Sequence, residues 1–492
     1  MTTETMVVTT NGGVIGAHDA SGILFFKGIP FAAPPVGEHR FQPPQPHEAW
    51  IAPREATEYG PTAPQLNGDG PLADMLPNVI IRGDDYLNLN VWTPSTDGAL
   101  PVMVFLHGGA FVTGSGAVPA YDGSAFARDG VVLVTINYRL GADGFLWFGD
   151  GIPNLGMLDQ VAALEWVRDN IAAFGGNPGD VTIFGESAGA MSVCTLVAMP
   201  RAKGLFRRAI AESGAGNSVI SAETAKIIAR RIAAVLGVEP TREAVAAVPV
   251  EDLLAAGAKV AGEIGFRASP RKWGDVARNL MPYEPVVDGD ILPAVPLEAM
   301  RDGAASGVQI LIGTNVEEAR LFIVPSGVHE SAPGITPYLI AHGYQANPFR
   351  AARTYRRNRP GASAGDVAAA IMTDWYYRIP AIRVAEAVPG THVYDFAWRS
   401  SAFDGALGAA HALEIPFVFD GIEHEDFKAL LGHPAPDSLA SAMHRAWVDF
   451  AKTGDPGWPA YTAESRVSMR FDETSRVTTD DRADERLLWK HR

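Results

Sequence analysis

Cysteine is almost missing from this sequence. Cys194 is the only one in 492 residues, so no disulfide can form within the chain. This usage fits a reducing compartment, and we expect a cytoplasmic protein. Cys194 stands in a run of small, apolar residues, and we predict that it packs in the core and has no catalytic role.

Long apolar runs and ligand-binding motifs are lacking too. No uninterrupted apolar stretch approaches the ~18 residues of a membrane span. Residues 1–10 are polar and lack the basic and apolar regions of a secretory signal. There is no Walker loop, no His-Glu-x-x-His and no paired CxxC, so we expect no cofactor and no metal.

Positively charged residues are fewer than negatively charged ones. The chain has 40 Lys and Arg against 56 Asp and Glu, which gives a formal net charge of −16. This balance argues against nucleic acid or an anionic membrane as the main partner. We expect a small-molecule substrate and a monomer. A hydrophobic content of 47% and a charged content of 20% are typical of a globular protein with a large core.

The order of apolar segments predicts an α/β fold. Continuous apolar runs, typical of strands buried on both faces of a parallel sheet, occur at residues 102–106 and 131–136. A short apolar run at 181–184 and the segments 308–313 and 393–398 are predicted to be further strands. Helical spacing separates several of them, at residues 158–174 and 188–198 among others. We predict a central, mostly parallel sheet flanked by helices, in a single domain over residues 1–492 with a helix-rich, cap-like insertion at about 223–296.

A possible nucleophile follows the run at 181–184. Residues 185–189 read Gly-Glu-Ser-Ala-Gly, the pattern of a strand that turns sharply into a helix and raises the hydroxyl of Ser187 above the sheet. Residues 361–365 match the same expression, but the preceding Arg-Arg-Asn-Arg-Pro cannot be a buried strand. We therefore predict that Ser187 is the nucleophile and that Ser363 caps a helix beginning near Asp366.

A serine hydroxyl needs a base, and the base needs an orienting acid. His411 follows the strand at 393–398, where this kind of fold carries its histidine, whereas His424, His433 and His444 are expected at the surface. Glu317 and Glu318 come just after the strand at 308–313. A Glu pair there is often only a solvated loop, but the order Ser, Glu, His along the chain favours a catalytic acid.

Backbone donors for an oxyanion are predicted after the strand at 102–106. The sequence there continues His107-Gly108-Gly109-Ala110-Phe111. Small residues let the backbone approach a substrate carbonyl, so that its N–H groups meet the developing negative charge. A simple Gly-Gly turn that closes the strand explains the same residues.

Nearly the whole chain resembles the type-B carboxylesterase/cholinesterase-like family of α/β-hydrolases, especially its bacterial para-nitrobenzyl-esterase-like branch. Ordered segments carry the resemblance: Phe-Lys-Gly-Ile-Pro-Phe-Ala-Ala-Pro-Pro at 26–35, Leu-Asn-Val-Trp at 89–92, Asn-Tyr-Arg at 137–139, Asn-Leu-Gly-Met-Leu-Asp-Gln at 154–160, Phe-Gly-Gly at 174–176, residues 411–419, and Phe-Ala-Lys-Thr-Gly-Asp-Pro at 450–456. The pattern departs from the family at residues 84–86, Asp-Asp-Tyr in place of Glu-Asp-Cys, and at Ala319, where glycine is common.

The resemblance implies a set of site residues. The nucleophile would be Ser187, the base His411 and the acid Glu318, not Glu317. The oxyanion hole would consist of the N–H groups of Gly109, Ala110 and Ala188. Polar groups around the triad would be Glu186, Ser213 and Glu414.

The substrate pocket is open to two interpretations. Phe111, Leu321 and Phe322 flank catalytic positions and are expected to line a hydrophobic pocket, although apolar residues there are as often plain core. Residues 68–78 and 266–273 are candidates for its rim.

We expect a cofactor-free serine hydrolase that cleaves carboxylic esters of small to medium acyl groups. An amidase or carbamate hydrolase with the same triad is an alternative. A non-catalytic adhesion or scaffold protein is a third, but such relatives typically lose the serine or the histidine.

Overall fold

The computed structural model describes residues 4–266 and 268–490, so Arg267, in the candidate rim segment 266–273, lies outside the described residues. The chain divides into two compact units. The first comprises residues 1–67, 78–210 and 217–308, and the second comprises residues 68–77, 211–216 and 309–492.

The strands follow one another along the chain in this order: β1 (Thr5–Thr9), β2 (Gly12–His18), β3 (Leu24–Pro30), β4 (Arg54–Glu55), β5 (Asn88–Thr93), β6 (Leu100–Leu106), β7 (Val132–Ile136), β8 (Gly176–Glu186), β9 (Arg208–Glu212), β10 (Ile220–Ser221), β11 (Val286–Val287), β12 (Gln309–Asn315), β13 (His392–Phe396), β14 (Val467–Phe471) and β15 (Arg476–Thr479).

The helices of the first unit are α1 (Ser124–Arg128), α2 (Gly141–Phe145), α3 (Leu155–Asn170), α4 (Ala188–Ala198), α5 (Ala222–Leu236), α6 (Arg242–Ala246), α7 (Val250–Phe266), α8 (Pro270–Trp273), α9 (Val276–Asn279) and α10 (Pro296–Arg301). Those of the second unit are α11 (Arg320–Ile323), α12 (Val328–Ser331), α13 (Thr336–Gly343), α14 (Pro348–Arg357), α15 (Ala364–Thr373), α16 (Ile379–Ala387), α17 (Ile415–Val418), α18 (Lys428–Leu431), α19 (Asp437–Thr453) and α20 (Ala483–Arg486). Among the described residues, no helix combines the length and the apolar character that crossing a membrane needs.

In the first unit the strand order is β1-β2-β3-β5-β7-β6-β8, with β4 beside β2. Strands β1 to β3 and β5 pair antiparallel. Strand β6 runs parallel to both β7 and β8, and Leu106 is in register with Ile136 and Gly185. The carboxyl ends of these strands therefore share one edge, and the segments that follow β6 and β8 begin side by side.

In the second unit β12, β13 and β14 are parallel neighbours, and β15 returns antiparallel to β14. Asn315 at the end of β12 is in register with Phe396 at the end of β13. The loops after these two strands, which carry the glutamate pair and the candidate histidine, therefore leave the same edge of the unit.

Burial explains why the strand runs could be predicted and one histidine could not. Residues 102–106 of β6 are at most 1% exposed, and every residue of α4 is buried. The expectation that His444 lies at the surface is wrong, since it is buried on the apolar side of α19 with Ala440 and Trp447. Its Nδ1–H donates to the carbonyl of Val418 at 2.7 Å, so the buried ring has a hydrogen-bond partner in the core.

Candidate active site

Ser187 occupies the single residue between the end of β8 and the start of α4. Its backbone has φ 56° and ψ −122°. A positive φ is uncommon for a residue with a side chain and costs conformational energy. Such strained serines are typical of the sharp strand-to-helix turn that the sequence predicts.

The glycines around Ser187 are needed for the close approach of α4 to β6. A Cβ atom on Gly189 would overlap the carbonyl oxygen of Leu106, and one on Gly185 would lie 2.5 Å from the same oxygen. Both positions therefore admit only glycine without a shift of the backbone.

The segment after β6 lies beside this turn. A Cβ atom on Gly108 would be 2.9 Å from the Glu186 carbonyl oxygen and from Glu186 Oε2, and 3.2 Å from Ser187 Cβ. The next three residues have positive φ: Gly109 at 111°, Ala110 at 53° and Phe111 at 60°. Three successive left-handed residues, two of them not glycine, are a strained arrangement of the kind found at functional sites.

Ala188 is the first residue of α4, so its N–H lies at the positive end of the helix dipole. The N–H groups of Gly109 and Ala110 belong to a turn closed by hydrogen bonds from Val112 N and Thr113 N to the Gly109 carbonyl, both 3.0 Å long. These are fixed backbone donors of the kind that stabilise a developing oxyanion.

His107 has a structural role in the same segment. Its ring stacks on Tyr138 with centroids 4.4 Å apart, and the Tyr138 hydroxyl donates to the His107 carbonyl at 2.8 Å. Burial lowers the pKa of His107 to about 4, so the ring stays neutral near neutral pH.

In the second unit, Glu318 and His411 form a buried pair. His411 Nδ1 lies 2.7 Å from Glu318 Oε2, and both side chains are almost fully buried. The backbone N–H of Asn315 donates to the other oxygen, Glu318 Oε1, at 2.8 Å. The carboxylate thus fixes the Nδ1–H tautomer and leaves Nε2 as the basic nitrogen of the ring.

A second carboxyl group, that of Glu414, is linked to this pair through Asn315. Ser213 Oγ donates to Glu414 Oε1 at 3.0 Å, and Asn315 Nδ2 donates to Glu414 Oε2 at 2.5 Å and to the Ala410 carbonyl at 2.7 Å. Burial and the nearby charge of Glu318 raise the pKa of Glu414 to about 7. Asn315 therefore connects Glu318 and Glu414 to the loop that carries His411. Its position at the end of β12 does not by itself predict this role.

Two aromatic rings contact the imidazole. Tyr377 is 4.9 Å and Phe322 5.3 Å from His411 between ring centroids. Tyr377 belongs to a π-helical turn, Asp374–Arg378, between α15 and α16. Such turns are rare and frequent at functional sites. No sequence signal marked Tyr377.

The three pocket candidates differ in exposure. Phe322 is 43% exposed, whereas Leu321 and Phe111 are fully buried. Phe111 packs against Phe145 with ring centroids 4.8 Å apart, within the first unit. Of the three, Phe322 is the one that combines solvent exposure with a contact to His411.

Glu186 and Glu317, the carboxylates next to Ser187 and Glu318, have different surroundings. Glu186 is buried in the first unit, where its Oε2 lies close to Gly108. Glu317 forms ion pairs with Arg320 and Arg399, and Ala409 N donates to its Oε2 at 3.0 Å.

Two structural predictions, a helix cap at Ser363 and a buried Cys194, are confirmed. Ser363 is the N-cap of α15 in a capping box, in which its Oγ accepts from Asp366 N at 3.0 Å while Ser363 N donates to the Asp366 carboxylate. Cys194 is buried inside α4, and its burial raises the pKa of the thiol to about 12, so it is an inert packing residue.

Comparison with known proteins gives one consistent result over the whole chain. The carboxylesterase family matches residues 3–489. The para-nitrobenzyl esterase of Bacillus subtilis is 38% identical over 98% of this chain and 97% of its own length. The phenmedipham hydrolase of Pseudarthrobacter oxydans is 34% identical over 96% of this chain and 97% of its own length.

Solved structures agree. The Geobacillus stearothermophilus carboxylesterase EST55 superposes with a TM-score of 0.86 at 39% identity, covering 99% of this chain and 100% of that chain. A para-nitrobenzyl (PNB) esterase structure gives a TM-score of 0.85 at 35% identity, with 99% of each chain covered. The fold is the α/β-hydrolase fold, with a mostly parallel sheet flanked by helices. The chain therefore belongs to the carboxylesterase family and is a carboxylic ester hydrolase.

Proposed function

We propose that this protein hydrolyses carboxylic esters through an acyl-enzyme, with Ser187 as nucleophile, His411 as general base and Glu318 as the acid that orients the base. The observation that carries the proposal is the buried hydrogen bond from His411 Nδ1 to Glu318 Oε2 at 2.7 Å. It prepares Nε2 to take a proton and stabilises the imidazolium that results.

The reaction runs in two stages. Ser187 Oγ attacks the ester carbonyl carbon while its proton passes to His411 Nε2. The tetrahedral oxyanion is held by the N–H groups of Gly109, Ala110 and Ala188, and it collapses as His411 returns the proton to the leaving alkoxide. Water then attacks the acyl-enzyme with His411 again as base, which releases the acid and restores Ser187.

The polar groups near the triad have supporting roles. Glu414, held by Ser213 and Asn315, maintains the position of the loop behind His411. Glu186 holds the turn before Ser187 through its place beside Gly108. Buried, hydrogen-bonded carboxylates of this kind keep a catalytic imidazole in one orientation.

The substrates we propose are esters of small to medium acyl groups, with Phe322, which is exposed and contacts His411, as the apolar residue that meets the acyl group. The relatives named para-nitrobenzyl esterase, phenmedipham hydrolase and fumonisin B1 esterase are named for different substrates, which supports a family with varied substrates. A series of nitrophenyl esters of increasing acyl length, run beside the matching anilide and carbamate, tests both the acyl preference and the bond that is cleaved.

A labelling experiment tests the nucleophile separately. An organophosphate should attach to one serine, and peptide mass mapping should place it on the peptide that contains Ser187. A label on the peptide containing Ser363 would reject the proposed nucleophile.

We also propose one carboxylesterase domain over residues 1–492, with residues 223–296 as a cap-like insertion, in a cytoplasmic monomer. The run of helices from α5 to α9 supports the insertion, and the single cysteine supports the compartment. Cell fractionation and size-exclusion chromatography with light scattering test the location and the oligomeric state. Limited proteolysis tests the insertion, since cuts within residues 223–296 should leave the remaining chain folded.

A further inference from the structure

The loop that carries His411 is bonded directly to the turn that carries Glu318. Glu317 N donates to the Ala409 carbonyl at 3.0 Å, and Ala409 N donates back to Glu317 Oε2 at 3.0 Å. His411 N donates to the Glu318 carbonyl at 3.2 Å. Glu317 thus holds, through its backbone and its side chain together, the residue two positions before the histidine.

Two arginines fix the Glu317 carboxylate in turn. Arg320 Nε is 3.1 Å from Oε1, and Arg399 pairs with Oε2. Arg320 also donates to the Ala406 carbonyl at 2.5 Å and pairs with Asp366 at 3.0 Å. We call Glu317, Arg320 and Arg399 the Glu317 cluster. Although burial opposes it, Arg399 and Arg320 hold the pKa of Glu317 below its ordinary value, so the carboxylate is charged at neutral pH.

Gly408 shows how closely the loop passes this carboxylate. Its φ is +64°, and a Cβ atom there would overlap Glu317 Oε2. Gly405, in the same loop, has a similar φ of +82°, but a Cβ atom there would have no neighbour within 4 Å. The two glycines differ in their contact with Glu317 and share the backbone conformation, which makes them a matched pair.

We propose that Glu317 is a positioning residue for ester hydrolysis, which keeps the loop at 408–411 in the place where His411 bonds Glu318. The inference rests on the proposed role of His411 as general base. Glu317 does not contact the reacting atoms, and it acts through Ala409 and Gly408. Since a misplacement of about 1 Å in a catalytic group can cost about a hundredfold in rate, a mobile histidine loop should lower kcat strongly.

Replacing Glu317 tests the proposal. Glu317→Ala should lower kcat for a nitrophenyl ester about 10- to 100-fold with little change in KM, because the loop loses its support while the pocket stays. Glu317→Gln should restore most of the rate, because its amide oxygen still accepts from Ala409 N. The downfield proton resonance of His411 Nδ1–H, a spectroscopic signature of the Glu318 bond, should broaden or vanish in Glu317→Ala and persist in Glu317→Gln.

A double-mutant cycle with Gly408 isolates the contact. Gly408→Ala should lower kcat like Glu317→Ala, and the double variant should lose much less than the product of the two effects, because the overlap is gone once the carboxylate is removed. Gly405→Ala is the control, and its effect should multiply with that of Glu317→Ala. Should Glu317→Ala fail to fold, Arg399→Ala replaces it, since the Arg399 side chain is 53% exposed.

Ser187→Ala and His411→Ala, measured in parallel, separate the two proposals. If either of them keeps wild-type activity, the proposed function is wrong. If both are inactive while folded Glu317→Ala keeps its kcat and its downfield resonance, the positioning role is wrong. A loss in Glu317→Ala that only follows the unfolded fraction seen by circular dichroism would also overturn it.

Discussion

Two serines in this chain share a Gly-x-Ser-x-Gly pattern and differ in what their backbones do. Ser187 has φ 56° in a strained turn, whereas Ser363 has φ −63° and ψ 168° and caps a helix. The glycines beside Ser187 are required by the contact with Leu106. Strain of this kind is retained where surrounding structure enforces it, and it exposes the hydroxyl.

The first prediction follows from this difference. Ser187→Ala should lower ester turnover by several orders of magnitude with the fold intact, because we propose its hydroxyl as the covalent nucleophile. Ser363→Ala should leave turnover nearly unchanged and lower the free energy of unfolding by about 1 kcal/mol, the usual value of a helix cap. Steady-state kinetics and urea unfolding check both. An inactive but folded Ser363→Ala would contradict the proposal that Ser187 is the nucleophile.

The second prediction concerns the two adjacent glutamates. Glu318→Gln should lower kcat/KM strongly, because an amide neither stabilises the imidazolium nor reliably holds the Nδ1–H tautomer. Glu317→Gln should be mild by comparison, because Glu317 faces Arg320 and Arg399 and its replacement still accepts from Ala409 N. Kinetics on the two purified variants decide the ranking. The opposite ranking would move the acid by one residue.

Among single residues, prediction from sequence succeeded where the chemistry is local. The cap at Ser363 depends on residues three apart, and the strand-to-helix turn at Ser187 depends on one short strand and its glycines. The role of Asn315 could not be predicted from sequence, because the partners of its side-chain amide, Ala410 and Glu414, are almost a hundred positions away. The contact between Tyr377 and His411 could not be predicted either, because it depends on a π-helical turn, and such turns have no reliable sequence signal.

At the scale of elements, the contact between α4 and β6 determines the shape of the nucleophile turn. A Cβ atom on Gly189 would overlap the Leu106 carbonyl, and it would also lie 3.1 Å from the His107 carbonyl. The helix can approach the strand only because this position has no side chain. The same approach sets the distance between Ala188 N and the donors after β6.

The third prediction uses that contact. Gly189→Ala should lower the free energy of unfolding by about 1–3 kcal/mol through overpacking, and it should lower kcat because α4 must move away from the oxyanion donors. Gly262→Ala in α7 is the control, since a Cβ atom there has no neighbour within 4 Å. It should stabilise the protein by about 0.5–1 kcal/mol through its helix propensity and leave kcat unchanged. An active, stable Gly189→Ala would contradict the close-packing argument.

Element placement could be predicted from sequence wherever burial was two-sided. The mainly apolar segments at β6, β7, β8, β12 and β13 predicted their strands to within a few residues, except in β8, which begins five residues earlier, at Gly176. Its early part, residues 176–180, is polar and turn-like, and it becomes strand through its pairing at Leu100. The prediction that His444 lies at the surface was wrong for a related reason. Its position on the apolar side of α19 buries the ring although histidine is a polar residue.

For the whole molecule, the dependence of the rate on pH should identify the groups that matter. Burial lowers the pKa of His107 to about 4, so its titration lies below the working range. Burial and the charge of Glu318 raise the pKa of Glu414 to about 7. Glu414 is therefore mostly protonated at mildly acidic pH and gains its charge near neutrality. That charge arises in the same hydrogen-bonded group as His411, so the two titrations are coupled.

The fourth prediction is a pH profile compared with a single variant. An ordinary histidine titrates near pH ~6.5, and His411 must be neutral to accept the serine proton. Wild-type kcat/KM should therefore rise through one broad acid limb and level off above neutrality. Glu414→Gln removes a carboxylate that favours the imidazolium, so its limb should be steeper and lie at lower pH. Ionisation of Glu414 is unfavourable in the folded protein, so stability should fall as pH rises from about 4.5 towards 7, and less so in Glu414→Gln.

Kinetics from pH 4 to 9 test the direction in which the acid limb moves, and urea unfolding at both ends of this range tests the direction of the stability change. A chelator is added to one wild-type series. A serine mechanism needs no metal, so the chelator should leave the profile unchanged. A rate that tracks hydroxide concentration across the whole range, or that collapses with the chelator, would replace the serine by metal-activated water. A limb that moves to higher pH in Glu414→Gln would mean that the Glu414 carboxylate disfavours the imidazolium. That outcome would contradict the arrangement in which Asn315 links Glu414 to the Glu318–His411 pair.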